Sequence, residues 1–313
     1  MCTAMNWKGF FGRTLDLEYS YREQVTVMPR NFPLSFRGVE GGEHHYAIIG
    51  MAHVEDGVPL YYDGMNERGL AVAGLNFPHN ACYGQDVPGR DNVAPFEFIP
   101  WVLGRCATVA EAEKLLERVN VVNLPFSDGL PVTPQHWMIA DRERSIVVEP
   151  LAEGLLVHEN PVGVMTNNPP FPRQLAHLAR FDHLTPVEPE GAVWDASARS
   201  RGMGAVGLPG DWSSPSRFVR AAFLREHGAG DGVSQFFHLL SGVEQPEGGV
   251  RLQNGGMVKT VYTSCCHLDR GIYYYTTYEN RQITGVNLFR EHLDGSILTC
   301  YPLRREEQIR MEN

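Results

Sequence analysis

The sequence predicts an α+β fold in which β-sheets pack on one another beneath a cover of helices, and three observations carry that expectation. Segments rich in β-branched and aromatic residues gather toward both ends of the chain. Segments with apolar residues at helical spacing fall in the middle and do not alternate one for one with the strands, which argues against regular βαβ repeats. The 313 residues, 43% of them hydrophobic and 20% charged, supply a sizeable core and fit one large domain of layered sheets.

In chain order, Cys2 leads a short segment that turns at Lys8-Gly9 and returns through FFGRTLD. QVTVMPR and HHYAIIGMAHV read as strands, with Gly41-Gly42 between them. VPLYYDG, the turn MNERG and LAVAGLNF read as a hairpin. The Gly/Pro-rich passages at 84–95 and 200–215 read as loops within the domain, because apolar segments needing burial continue on both sides. Thr108 followed by Glu111 is a capping-box pattern opening the helical stretch VAEAEKLLERV. HWMIAD and SIVVEP form a second hairpin through Arg142-Glu143-Arg144. SPSRFVRAAFLREH is a helix with Pro215 in its first turn, where a missing backbone donor does little harm, and Asp231 is placed to cap a further helix through VSQFFHLL. Strands return in GMVKTVYTSCC and GIYYYTTYE, then in the less strongly patterned GVNLF and SILTCYPL. GMGAVGLPG has neither the Walker pattern nor the strand-turn-helix context of a nucleotide-binding loop.

Charge and cysteine usage narrow the function classes. Lysine and arginine number 27 against 37 acidic residues, and the formal charge of −10 argues against nucleic acid or an anionic membrane as partner. The six cysteines show no C-x-x-C or Cys/His ligand spacing, so neither a disulfide framework nor a metal site is expected, and Cys265-Cys266 read as packed strand residues. No apolar leader opens the sequence and no run approaches the ~20 apolar residues of a membrane span, so the expected location is cytoplasmic.

Cys2 stands where removal of Met1 makes it the new terminus, with a thiol and an α-amine on one residue. An α-amine with a reference pKa of about 7.7–8.0 is a usable neutral base near physiological pH, unlike lysine at about 10.4. It can accept the thiol proton and later deliver one to a leaving amine. A cysteine at position two is a weak signal taken alone and then reads as structural.

MCTAMNW, FGRTLDLEYSY, GLNFPHNA, VMTNNPPF and LPGDWSSPSRFVRA, spread in this order over most of the chain, together resemble the choloylglycine hydrolase family. That family contains conjugated bile salt hydrolases and penicillin V acylases and belongs to the N-terminal-nucleophile hydrolases. The resemblance implies a four-layer αββα sandwich of two antiparallel sheets between helical layers, one catalytic domain over 1–313 with a mature chain of 2–313, and a homotetramer. It implies neither metal nor organic cofactor. Position by position, it makes Cys2 the nucleophile, and Arg13 and Asp16 a pair near the thiol and terminal amine. Asn76 and Asn167 match the two asparagines associated with the oxyanion, and Arg217 completes the charged network. Arg13 can favour thiolate and Asp16 can orient the amine. Asn167 can donate to the oxyanion or orient the amine, with Asn168 its competitor. Arg220, outside the carried-over position, is expected at the surface.

The expected reaction is amine-assisted attack of Cys2 on a linear amide, giving a thioester that water cleaves. An amine acceptor in place of water would give transacylation. Because Asn76 is retained, GLNFPHNA favours the bile-salt-hydrolase side, with glycine- or taurine-conjugated bile acids as small-molecule substrates. Leu15, Leu17, Tyr61, Tyr62, Phe77, Phe126 and Leu130 are candidates for steroid-facing walls, each equally suited to the core. The alternatives are a penicillin V acylase, a papain-like Cys-His enzyme and a noncatalytic bile-acid-binding protein.

Overall fold

A computed structural model gives the fold and describes residues 1–39, 44–190 and 200–313. Gly41-Gly42, expected between two strands, lie outside the described residues. β1 (Cys2–Trp7) and β2 (Phe10–Leu17) form a hairpin turned at Lys8 and Gly9, whose φ values of 48° and 78° suit a two-residue turn. β3 (Gln24–Met28), β4 (Ile48–Glu55), β5 (Val58–Asn66) and β6 (Ala71–Asn76) follow as an antiparallel series, which includes the expected β5–β6 hairpin. β7 (Asp91–Val93) then leads to α1 (Phe98–Arg105), α2 (Val109–Leu116) and β8 (Val119–Val121). Thr108 caps α2 by accepting the Glu111 N–H at 3.2 Å.

β9 (Gln135–Ala140) and β10 (Ser145–Leu151) are the second expected hairpin, extended by β11 (Gly154–Glu159). β12 (Val164–Met165) precedes three helices, α3 (Phe171–Leu178), α4 (Ser214–His227) and α5 (Gly232–Ser241). Asp231 occupies the N-cap position of α5, but its side chain makes no capping bond. The chain closes with β13 (Val250–Arg251), β14 (Met257–His267), β15 (Ile272–Thr277), β16 (Thr284–Asn287) and β17 (Thr299–Pro302).

The strands make two large antiparallel sheets. One runs β12-β1-β2-β14-β15-β16, with β13 on β14, and the other runs β11-β10-β9-β6-β5-β4-β3-β17. The passage at 84–95 is not wholly a loop, since β7 pairs in parallel with β8 as a small third sheet.

The period of two along each strand sorts side chains between layers. In β9, Met138 and Ala140 join the core shared with Met5, Phe11 and Tyr262 of the first sheet, whereas Trp137 and Ile139 join Phe98, Trp101 and Val102 of α1. Phe98 stacks on Trp137 with ring centroids 3.9 Å apart. On the far side, α4 and α5 contribute Phe218, Ala221, Phe236 and Leu240 to the core under the first sheet. The result is the αββα order of layers. Strands covered on both faces read as nearly continuous apolar runs, which is why β1, β9 and β10 lack alternation.

Candidate active site

Cys2 opens β1 and is 2% exposed. In this structure Met1 precedes it, so the Cys2 nitrogen is an amide. Met1 extends the β1–β2 ladder: its amine donates to the Asp16 carbonyl at 2.5 Å, and its own carbonyl accepts from the Asp16 N–H at 2.9 Å.

β2 carries Arg13 and Asp16, and the pleat sends them to opposite faces, so they are not a contacting pair. Arg13 crosses to the second sheet, donating through Nη1 to the Gly74 carbonyl at 2.6 Å and the Tyr62 carbonyl at 3.2 Å. Burial works to depress its basicity, but the neighbouring Cys2, Tyr262, Asp63 and Asp16 outweigh this and hold the guanidinium firmly protonated. The carboxylate of Asp16 instead accepts from Thr260 Oγ1 at 2.7 Å, and from Thr14 Oγ1 and Gln245 Nε2 at 3.1 Å each. A register shift in β14 between Thr260 and Tyr262 lies opposite this residue. Such a bulge re-aims side chains, here bringing Thr260 onto Asp16. Burial pushes the Asp16 carboxyl up, with Arg217 and the terminal ammonium opposing.

Arg217, on α4, is fully buried. Nη1 donates to the Cys2 carbonyl at 2.5 Å and Thr3 Oγ1 at 2.7 Å, Nη2 to Asn167 Oδ1 at 2.8 Å, and Nε to the Trp212 carbonyl at 3.0 Å. Desolvation lowers its basicity, while Asp16 and Cys2 restore part of it. Pro215 starts the helix and Ser213 caps it, accepting from the Ser216 N–H. The guanidinium is therefore presented from a well-anchored first turn.

Asn167 follows β12 and joins the elements. Its Oδ1 accepts the Cys2 N–H at 2.8 Å as well as Arg217, its Nδ2 donates to the Asn76 carbonyl at 2.7 Å, and its backbone N–H donates to Ser214 Oγ at 2.9 Å. Asn168 points elsewhere, donating to the Pro78 carbonyl at 2.7 Å. At the end of β6, the Asn76 Oδ1 is buried and has no protein partner. Cys2, Asn76, Asn167 and Arg217 are thus linked by direct hydrogen bonds, with Arg13 and Asp16 on either face beneath them.

One expectation needs correction. Arg220 is not a surface residue: it is 8% exposed and donates to the carbonyls of Gly242, Pro209 and Asp211, fastening the segment that precedes α4. Among the candidate wall residues, for which the sequence makes the core an equal alternative, Leu15, Tyr61 and Phe77 are buried, and Tyr61 lies in the cluster on the α1 side of the second sheet. Leu17, Tyr62, Phe126 and Leu130 are half-buried. The sequence reading also missed supporting groups: Gln174, whose Nε2 reaches Asn167 and Asn168 carbonyls at 3.2 Å each, and Asp63, whose carboxylate accepts from Tyr262 and Tyr273 hydroxyls at 2.6 Å each. Burial pushes the Asp63 carboxyl up, and Arg13 works against it. Nothing local marks Asp63, because its partners lie 199 and 210 residues away in the chain.

Among the described residues, no group of three or more His, Cys, Asp or Glu side chains is arranged to hold a metal ion, and no helix is long and apolar enough to cross a membrane.

The family of linear amide C-N hydrolases, choloylglycine hydrolase family, matches residues 2–301. A bile salt hydrolase/transferase of Lactiplantibacillus plantarum is 48% identical over 322 aligned positions, covering 98% of each chain. The crystal structure of a mutant of the conjugated bile acid hydrolase from Clostridium perfringens superposes with a TM-score of 0.94 at 37% identity, covering 100% of both chains. A penicillin V acylase from Agrobacterium tumefaciens shares the fold, with a TM-score of 0.74 at 21% identity over 97% of this chain and 92% of its own. This chain belongs to the choloylglycine hydrolase family.

Proposed function

We propose that the mature chain, residues 2–313, is a single catalytic unit that hydrolyses glycine- or taurine-conjugated bile acids through a Cys2 thioester. The observation that carries the reading is the Cys2 nitrogen, 2.8 Å from Asn167 Oδ1 and on a residue whose carbonyl is held by Arg217. With Met1 gone, that nitrogen becomes a free amine beside the sulfur, and Asn167 remains an acceptor able to orient it. The amine takes the thiol proton, Cys2 attacks the amide carbonyl, and the tetrahedral intermediate collapses as the amine passes the proton to the leaving glycine or taurine. Water, activated by the same amine, then cleaves the thioester. An amine in place of water gives the transfer reaction.

Arg13 and Arg217 supply positive charge on the two sides of β1; Asp16 and Asp63 raise the basicity of Arg13, and Asp16 that of Arg217. The Asn76 side-chain amide nitrogen, Nδ2, is the proposed donor to the oxyanion. Asn76→Ala is expected to lose about 2.7–4 kcal/mol of transition-state stabilisation with little change in Tm. Comparing kcat with thermal melting checks this, and an unchanged kcat would remove Asn76 from the oxyanion site.

The substrate side of the proposal is supported by the 48% identity to the Lactiplantibacillus plantarum relative. Turnover of glycocholate, taurocholate and penicillin V under matched conditions tests it. The conjugates are expected to show the higher kcat/KM, and preference for penicillin V would move the chain to the acylase side. The cytoplasmic location expected from the sequence belongs to the same proposal, as does the homotetramer, which rests on the family resemblance.

A further inference from the structure

His136 lies in the middle of the second sheet at 1% exposure, outside the residues the family pattern picks out. Its ring face stacks on Phe77, with centroids 4.1 Å apart and planes 6° from parallel. Phe77 is the residue after Asn76. On the ring edge, Nε2 lies 2.8 Å from the Thr166 carbonyl, and Thr166 is the residue before Asn167. A carbonyl only accepts, so Nε2 is the donor. The other nitrogen, Nδ1, sits 3.2 Å from Oε1 of Glu149, which is fully buried. Glu149 also accepts the Phe171 N–H at 3.0 and 3.1 Å, at the start of the helix that follows the Asn167-Asn168 segment.

One imidazole therefore touches both chain segments that carry the asparagines, by its face on one and its edge on the other. The asparagines themselves meet through Asn167 Nδ2 and the Asn76 carbonyl. Simple filling of the core would explain an aromatic residue at 136. It would not require a donor aimed at Thr166, nor a buried carboxylate fixing the ring from behind.

We infer that His136, held by Glu149, is a positioning residue that sets the separation of Asn76 from Asn167 and hence the fit of the oxyanion site to Cys2. This rests on the hydrolytic reading above. A misplacement of about 1 Å at such a site is enough to cost on the order of 10²-fold in rate.

Two substitutions separate positioning from packing. Glutamine can place its amide nitrogen near the Nε2 position and keep the donor to Thr166. Asparagine places its nitrogen near Nδ1, serving Glu149 but not Thr166. His136→Asn is expected to lower kcat on the order of 10²-fold with KM little changed, whereas His136→Gln retains most of kcat. Equal kcat in the two variants, or a loss in both that follows Tm, overturns the inference. If His136→Asn does not fold, the double variant His136→Phe with Glu149→Gln leaves no unpaired buried carboxylate and keeps an acceptor for Phe171. Lowered kcat at constant KM in that variant supports positioning, and wild-type kcat overturns it. The variants are also compared in acylation by p-nitrophenyl acetate. Wild type that releases p-nitrophenolate in a burst yet leaves glycocholate intact would reject the bile-salt reading alone. The Asn/Gln contrast in that burst then decides the role of His136.

Discussion

Cys2→Ala is expected to reduce glycocholate hydrolysis by at least about 10⁴-fold while leaving the fold intact. The backbone at position 2 is held by bonds that alanine keeps: its N–H to Asn167 Oδ1 and its carbonyl from Arg217. The substitution removes one buried sulfur, a loss of about 1 kcal/mol by the transfer scale, small beside the core around it. No other cysteine is placed to stand in. Burial pushes the thiols of Cys265 and Cys266 well up, Cys106 is pushed up to about 12, and Cys82 and Cys300 are exposed and carry none of the amide network. Steady-state turnover, circular dichroism and the mass of any trapped acyl-enzyme check the point together. Wild-type turnover by Cys2→Ala would end the nucleophile assignment, and a thioester mass found on another cysteine would transfer it.

How far the site was legible in the sequence depends on what holds each residue. Cys2, Arg13 and Asp16 lie on one hairpin, and the Lys8-Gly9 turn that sets its register is visible as a two-residue motif. Asn167 and Arg217 lie in segments whose order matched a known family, although their meeting at 2.8 Å depends on α4 docking beneath the first sheet. Arg13 and Asp16, three residues apart in one strand, face opposite sides of β2, so each approaches the site from a different face. Arg220 misled because it is buried by the segment before α4, through carbonyl acceptors that leave no trace in side-chain spacing. Helices α1 and α3 escaped because Pro100 interrupts the first, while the second is short and strongly polar on one side. Glu149 and His136 read as ordinary members of apolar strands. Only the pairing of β10 with β9 and the approach of residue 166 give them their partners.

An amino-terminal extension that persists until it is cut deliberately separates the sulfur from the base. Met1 already fits the β1–β2 ladder, with its amine and carbonyl both bonded to the backbone of Asp16. A chain carrying additional residues before Cys2 is therefore expected to fold with its Cys2 sulfur in place. Its Cys2 nitrogen would remain an amide, which donates to Asn167 but accepts no proton. Losing a general base typically costs about 10²- to 10⁴-fold, so kcat should fall by that much while the Tm stays near that of the mature chain. Intact mass must confirm that the extension persists in the assayed sample. A site-specific protease that cuts immediately before Cys2 should then restore turnover in the same sample. Recovery on cleavage would assign the base to the terminal amine, because nothing else in the molecule changes. Full activity of the extended chain, with the extension verified by mass, would instead require a base elsewhere. One ionisable alternative is Asp16, whose carboxylate accepts from Thr14, Thr260 and Gln245. For Asp16 to serve, its basicity would depend on the donors it holds, and Thr260→Val would then change kcat in the extended chain more than in the mature one.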